Sequence, residues 1–454
     1  MNREAVFHLR ETVRLAVPVA IGQLGHVTLS VADSLMVGRL GPEPLAGAAL
    51  GGSVFVLMLV FAAGMSSAIT PLTAIACGEG KHDEAGIVYR QGLLLNAMIG
   101  VLLIALSWLL SNFLHMLDQP DQVVLLARPY LEIISFSFLP MMVFLTSRNF
   151  IEGQSYTRPA MVVIIVANGV NVAGNWVLIY GNLGFPALGL NGAAYSSLLV
   201  ELFSAVAIVW YVLRSKRFVR YRPILEFRSF NTRVQARILR IGLPSGLQYV
   251  FEAGSFSVSA IMMGWIGAKA LAAHQIAINL ASISFMIILG IANAATIRVG
   301  NAVGKKNRYE VRQAGFSAWL LAVTLMSIAA AVFILFREVL PSLYVDDPEV
   351  IRIAAGLLIF AAFFQLSDGS QVVGHGSLRG MTDVTVPLYI AIVSYWIIGL
   401  PAGYIFAFVV GMGPEGVWTG FVFGLTTAAV AFLYRFHRKS KTLFPSKEED
   451  QRSP

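Results

Sequence analysis

The chain has 454 residues, of which 57% are hydrophobic and only 13% charged, and its mean hydropathy is +0.72. Soluble globular domains carry roughly 25% charged residues, so this composition excludes a soluble enzyme and puts most of the surface against lipid. The net charge is +8, and Cys77 is the only cysteine, which excludes an intrachain disulfide.

Residues 1–14 carry charge and run directly into an apolar stretch longer than a signal-peptide core, with no small-residue cleavage pattern. The reading is a retained first span. Apolar segments of about 20 residues cross the hydrocarbon core as helices. Twelve follow in order, at 13–37, 45–75, 92–114, 130–150, 159–180, 188–213, 241–264, 271–297, 315–336, 350–374, 384–407 and 416–434. The expected fold is an all-α polytopic membrane protein with twelve transmembrane helices, and an even count puts both termini on one side. Most of the 33 Lys and Arg fall on that side, in loops and adjoining helix ends. By the positive-inside rule it is the cytoplasmic side. The basic segment 214–240 is expected to anchor on anionic lipid of the inner leaflet, with no nucleic-acid partner.

Sliding the chain against itself by 226 residues (Pro18 onto Pro244) superposes Arg14, Met36, Gly38, Gly41, Leu45 and Ala46 on Arg240, Met262, Gly264, Gly267, Leu271 and Ala272. With small gaps, Gly153 and Pro159 match Gly380 and Pro387. Six spans per repeat return the chain to its starting side, so two six-helix bundles are predicted to be related by a pseudo-twofold axis along the membrane normal. The expected organisation is an N-terminal lobe at 1–213, a cytoplasmic linker at 214–240, a C-terminal lobe at 241–436 and a cytoplasmic tail at 437–454. Pro18 and Pro244 each remove a backbone hydrogen bond inside a long helix, which makes them candidate hinges.

Ionisable side chains deep in a bilayer are costly unless they face a cavity or a partner. Asp33, Glu252 and Asp368 lie well inside predicted spans, flanked by Ser30, Ser34, Ser255, Ser367, Gly369 and Ser370. Glu252 and Asp368 belong to the seventh and tenth spans. Two carboxylates sharing a low-dielectric site repel, so the pair is suited to take up a proton or a hard cation. Asn168, Asn171 and Asn175 stand at i, i+3 and i+7, one face of the fifth span, and are predicted to turn inward with Asp33, itself a candidate cation-coupling or substrate-binding acid. Glu201, Glu132, His274, Gln275 and His26 are further polar positions in or near spans. Tyr249, Phe256, Phe364, Tyr395 and Trp396 are candidates to line a pocket for planar cations through cation–π contact. With 29 Phe, 14 Tyr and 7 Trp, most aromatics must simply pack. The sequence holds no phosphate-binding GxxxxGK[ST], metal-ligand cluster or Ser/His/Asp constellation in supporting context. Neither an enzyme nor a cofactor is expected, and an ion gradient is the remaining ordinary energy source.

In order and spacing, these pieces resemble the multidrug and toxic compound extrusion (MATE) family, its NorM-like bacterial branch in particular. The resemblance spans essentially the whole chain. It rests on Val31-Ala32-Asp33-Ser34 through Gly41, Leu243-Pro244-Ser245-Gly246 with Glu252, and Leu271-Ala272-Ala273-His274-Gln275-Ile276. Leu378-Arg379-Gly380 and Tyr395-Trp396-x2-Gly399-x-Pro401 complete it. It implies two lobes in a V and export of organic, often cationic amphipathic compounds driven by sodium or proton influx. It also implies a cation site at Glu252 and Asp368, and an Asp33 paired with Asn171 and Asn175. Some relatives carry a tyrosine one turn before the aspartate at the position of Asp368; here Phe364 offers no oxygen, which favours the proton over sodium as coupling ion without deciding between them. The wider superfamily also contains flippases for lipid-linked oligosaccharides, whose pyrophosphate would call for basic residues in the cavity. A monomeric, multi-pass protein of the bacterial inner membrane is the expected state.

Overall fold

The computed structural model describes residues 3–221 and 230–443. The middle of the segment 214–240 and most of the tail 437–454 therefore lie outside the described residues. Among those described the chain is helical throughout, with no strand.

Twelve rods follow one another: α1 (Arg3–Gly38), α2 (Pro42–Gly78), α3 (His82–Ser111), α4 (Asp121–Ser135 with Phe138–Gly153), α5 (Arg158–Leu178) and α6 (Leu190–Arg214). Then come α7 (Thr232–Ile266), α8 (Ala268–Gly304), α9 (Arg308–Leu335), α10 (Pro348–Gly380), α11 (Thr385–Val409) and α12 (Pro414–Thr442). They coincide with the twelve spans read from hydropathy. Ten are long and apolar enough to cross a membrane singly, and the two halves of α4, bent by 43°, make an eleventh. The twelfth is α7, whose Gln248, Glu252, Ser255, Ser257 and Ser259 dilute its apolar character. Large side chains such as Leu102, Trp210, Trp265 and Val430 are more than half exposed, as contact with lipid requires.

Helix ends follow from local chemistry. Pro42, Pro159, Pro348 and Pro414 open helices in the first turn, where a missing N–H is no loss. Gly41 and Gly267, matched by the repeat, take φ of 120° and 152° and break α1 from α2 and α7 from α8. The Asp347 carboxylate caps α10, and the N–H groups of Glu349 and Val350, then Lys269, hold its pKa below the ordinary value.

The chain divides into two compact units, one made of the described residues of Ile21–Gly246 and the other of those of Met1–Ala20 and Leu247–Pro454. Both divisions fall inside continuous helices, α1 and α7, and they too are 226 residues apart (Ala20 to Gly246). Packing within each unit repeats the same device. In the first, a Cβ on Gly64 would lie 2.7 Å from the Ser245 carbonyl oxygen; in the second, a Cβ on Gly290 would lie 2.7 Å from that of Ala16. Likewise Gly153 lies against the Thr70 carbonyl and Gly380 against that of Thr296. Gly64 and Gly290 are 226 residues apart, Thr70 and Thr296 likewise, and Gly153 and Gly380 are 227 apart; each of these glycines lets backbones approach where any side chain would hold them apart. In the second unit α10 is central, packed on α8, α9 and α12.

Candidate functional site

In the unit of Ile21–Gly246, α1 presents Asp33 to α5. Asn175 and Asn171 donate from Nδ2 to Asp33 Oδ1 at 2.6 and 2.9 Å, and Ser197 Oγ of α6 donates to Oδ2 at 3.5 Å. Both asparagines are fully buried. Asn168 does not join them: its amide returns to the Ile164 carbonyl of its own helix at 2.9 Å. Two residues four apart clamp one carboxylate, while a third, one turn beyond, is out of reach. Glu201 of α6 is half-buried in the same unit. Glu132 accepts from Arg128 Nε and Ser111 Oγ near its span end.

In the other unit, α7 brings Glu252 and α10 brings Asp368 to a single amide. Gln371 Nε2 donates to Glu252 Oε1 at 3.0 Å and stands 3.4 Å from Asp368 Oδ1. Asp368 and Gln371 are almost wholly buried. One NH2 group offers two hydrogens, one for each carboxylate, and this is what holds the two acids in one site. Glu252 is half-buried, and an oxygen-rich pair of this kind suits a proton or a hard monovalent cation. Among the described residues no group of three or more His, Cys, Asp or Glu is placed to hold a metal ion.

Around this pair, Tyr395 and Trp396 lie in a stretch of α11, Val393–Gly399, wound as π-helix. Such widened turns re-aim side chains and recur at functional sites. Trp396 Nε1 donates to the Phe251 carbonyl of α7 at 2.9 Å, and Tyr395 lines a small apolar cavity with Ser255, Ser259 and Phe421. Phe256 and Phe364 belong to an aromatic cluster with Trp418 and Phe421, ring centroids 4.9–6.3 Å apart. His274 joins that cluster and accepts from Trp418 Nε1 at 3.2 Å, whereas Gln275 is exposed. Tyr249 is engaged elsewhere, with Arg379.

A family model described as MatE matches residues 18–177 and again 244–405. The two matches begin at Pro18 and Pro244, the spacing of the internal repeat. The chain belongs to the MATE family. Its relatives include the probable multidrug resistance protein NorM of Rhizobium meliloti (strain 1021), 35% identical over 436 residues, or 95% of this chain and 93% of that one. The multidrug resistance protein MdtK of Yersinia pseudotuberculosis is 33% identical over 97% of this chain and 98% of its own. Among solved structures, a MATE in the straight conformation superposes with a TM-score of 0.88 at 24% identity, covering 96% of this chain and 97% of that one. A MATE in the bent conformation gives 0.87 at 24% identity, covering 98% and 99%. These likenesses establish the fold, and with the apolar rods they make the protein a multi-pass membrane protein.

Two parts of this MATE protein's polar interior escaped the sequence. Gln371 is neutral and gave no electrostatic signal, although its place three residues after Asp368 puts it on the same helix face. Arg379 lies at a span end, where a basic residue is unremarked by charge counting. The motif Leu378-Arg379-Gly380 marked the position, but only the structure shows that the guanidinium is buried.

Proposed function

We propose that the protein is a secondary active exporter that exchanges an inward-moving H+ or Na+ for organic, often cationic amphipathic compounds by alternating access. The observation that carries this reading is the pair Glu252–Asp368 held on one Gln371 amide deep in a membrane-spanning unit. A buried carboxylate and a half-buried one with a single neutral amide between them gain from an added positive charge. Binding and release of that charge is the ordinary way to couple a membrane gradient to a change of shape. The names of the NorM and MdtK relatives support the substrate class, and the positive-inside rule supports cytoplasmic termini in a bacterial inner membrane. Asp33, already saturated by Asn171, Asn175 and Ser197, serves as the polar anchor on the substrate side. Pro18 and Pro244, inside continuous helices and each within three residues of a division between compact units, serve in this reading as the hinges of α1 and α7.

The test is efflux from proteoliposomes under sodium and pH gradients imposed independently, with Glu252→Gln, Asp368→Asn and Asp33→Asn compared with the unaltered protein. Loss of a charge-assisted contact worth ~1.5–3 kcal/mol predicts a fall on the order of tenfold or more for the first two. Full gradient-driven transport by all three variants would sink the assignment.

A further inference from the structure

Arg379 stands in the last turn of α10 and is only 4% exposed. Its Nη1 donates to Tyr249 Oη at 2.7 Å, and its Nη2 to Asn293 Oδ1 at 2.8 Å and Thr296 Oγ1 at 3.2 Å. Nε reaches Thr296 Oγ1 at 3.4 Å, and that hydroxyl in turn donates to the Gly376 carbonyl at 2.8 Å. Every one of these partners is neutral. One turn earlier lies His375, 5% exposed, with its ring against Tyr249 and Phe432 and its Nε2 buried without a partner. Arg379 is the charged group nearest to it along α10, and Tyr249 is the titratable group facing it from α7.

The matching position in the other unit shows what is unusual here. Gly153 and Gly380 occupy equivalent places against Thr70 and Thr296, so Arg148 and Glu152 correspond to His375 and Arg379. Arg148 Nε is 2.8 Å from Glu152 Oε1, and both are buried: a closed, neutral pair. The same two turns of α10 carry an uncompensated positive charge instead. A buried charge without a counter-ion is costly in a span, and the carbonyl end of α10 offsets only part of that cost. The position therefore needs a reason beyond packing.

We propose that Arg379 is a fixed-charge stop for cations, closing the Glu252–Asp368 site towards the end at which α10 terminates. Gln371 and Arg379 are eight residues apart, about 12 Å along the helix. A cation held by the two carboxylates that leaves past His375 must approach the guanidinium, which repels it, much as a lone arginine excludes cations in a pore. Release requires the stop to be loosened, and the geometry supplies the means. Tyr249 and Glu252 are three residues apart on α7, while their partners Arg379 and Gln371 share α10. A shift of α7 against α10 thus breaks the carboxylate bridge and the Tyr249 contact together. This rests on the pair being the coupling site, and it adds which group keeps that site from leaking.

The experiment measures sodium and proton entry into liposomes holding the full chain, with a gradient imposed and no organic substrate present. Arg379→Gln removes the charge; Arg379→Lys keeps it but loses the planar fork. At about 12 Å and an effective dielectric of about 20, one charge changes cation occupancy about tenfold. The expected result is a leak about tenfold faster for Arg379→Gln and close to the unaltered protein for Arg379→Lys. His375→Glu leaves Arg379 and its neutral partners in place and adds a carboxylate one turn away, an Arg–Glu pair in the reverse order of Arg148 and Glu152; it should leak like Arg379→Gln, and it covers the case in which that variant fails to fold. A tight Arg379→Gln, a tight His375→Glu, or equal leaks from Gln and Lys each overturn the proposal, the last because a purely structural role predicts it. Coupled export that survives Glu252→Gln and Asp368→Asn would instead remove the coupling site, and the Gln-to-Lys contrast at Arg379 separates the two failures.

Discussion

In one unit Asp33 accepts from Asn171, Asn175 and Ser197 and Arg148 is closed onto Glu152; in the other, two carboxylates share Gln371 and Arg379 has only neutral partners. The helix framework beneath is the same, down to paired glycines on paired carbonyls. What differs is whether each buried charge is satisfied by its own surroundings. For Asp33 and for the Arg148–Glu152 pair of the first unit it is. In the second, two carboxylates meet at one amide and a guanidinium about two turns along α10 has only neutral partners, the arrangement on which the proposed ion coupling rests. Duplication supplied the scaffold, and divergence at a handful of positions supplied the chemistry.

The sharpest way to break this comparison is to make the satisfied unit unsatisfied. Glu152→Gln leaves the Arg148 guanidinium buried without its partner, and removing one member of a buried pair costs about 3–5 kcal/mol. Thermal unfolding in detergent should show a large drop for Glu152→Gln and recovery of most of it in Arg148→Gln/Glu152→Gln. If the single variant is as stable as the unaltered protein, Arg148 does not depend on Glu152, and the contrast with Arg379 is not one of charge.

A second test asks whether the scaffold is as equivalent as the glycines imply. Alanine at Gly64 places its Cβ 2.7 Å from the Ser245 carbonyl oxygen, and alanine at Gly290 meets that of Ala16 at the same distance. Forcing such contacts apart costs roughly 1–3 kcal/mol. Gly64→Ala and Gly290→Ala should lower the unfolding temperature by similar amounts, and a marked inequality would show that the two packings are not counterparts.

Much of the framework was legible in the chain. Length and apolar runs located all twelve rods, because a span must satisfy its own backbone and can do so only as a helix of set length. Even α7, diluted by Gln248, Glu252 and three serines, was counted among those runs, and its match to α1 agrees with that. Asp33, Glu252 and Asp368 were legible for the same energetic reason, since an acid in a span demands an explanation. The division into compact units was not, because it falls inside the unbroken helices α1 and α7, where nothing in composition changes. Gln371 and Arg379 were missed because their roles depend on which neighbours a fold brings within 3 Å. Asn168 shows the converse: periodicity put it on the right face, but one turn too far along to reach Asp33.

The smallest expected effect lies at the helix starts, where the units again differ. Asp347 caps α10 by accepting from Glu349 N and Val350 N at 2.8 and 3.3 Å, with Lys269 Nζ 3.5 Å from its other oxygen. Asp121, at the start of α4, is in the first turn behind Pro120, and no side chain caps that helix. The Asp347 carboxyl is held below its ordinary pKa by those N–H groups first and Lys269 second. A depressed carboxyl contributes stability above the unfolded value of about 3.9, and that stability is lost as pH falls through the folded value. The unfolding temperature should therefore include a small decline that begins as pH drops to about 4 and continues below it. Because the group is exposed, solvent keeps the effect minor. Asp347→Asn retains an acceptor for the cap but cannot titrate, so it should remove that part of the decline, while Asp121→Asn should leave it in place. If both variants decline in acid like the unaltered protein, the Asp347 cap is not what the acid breaks.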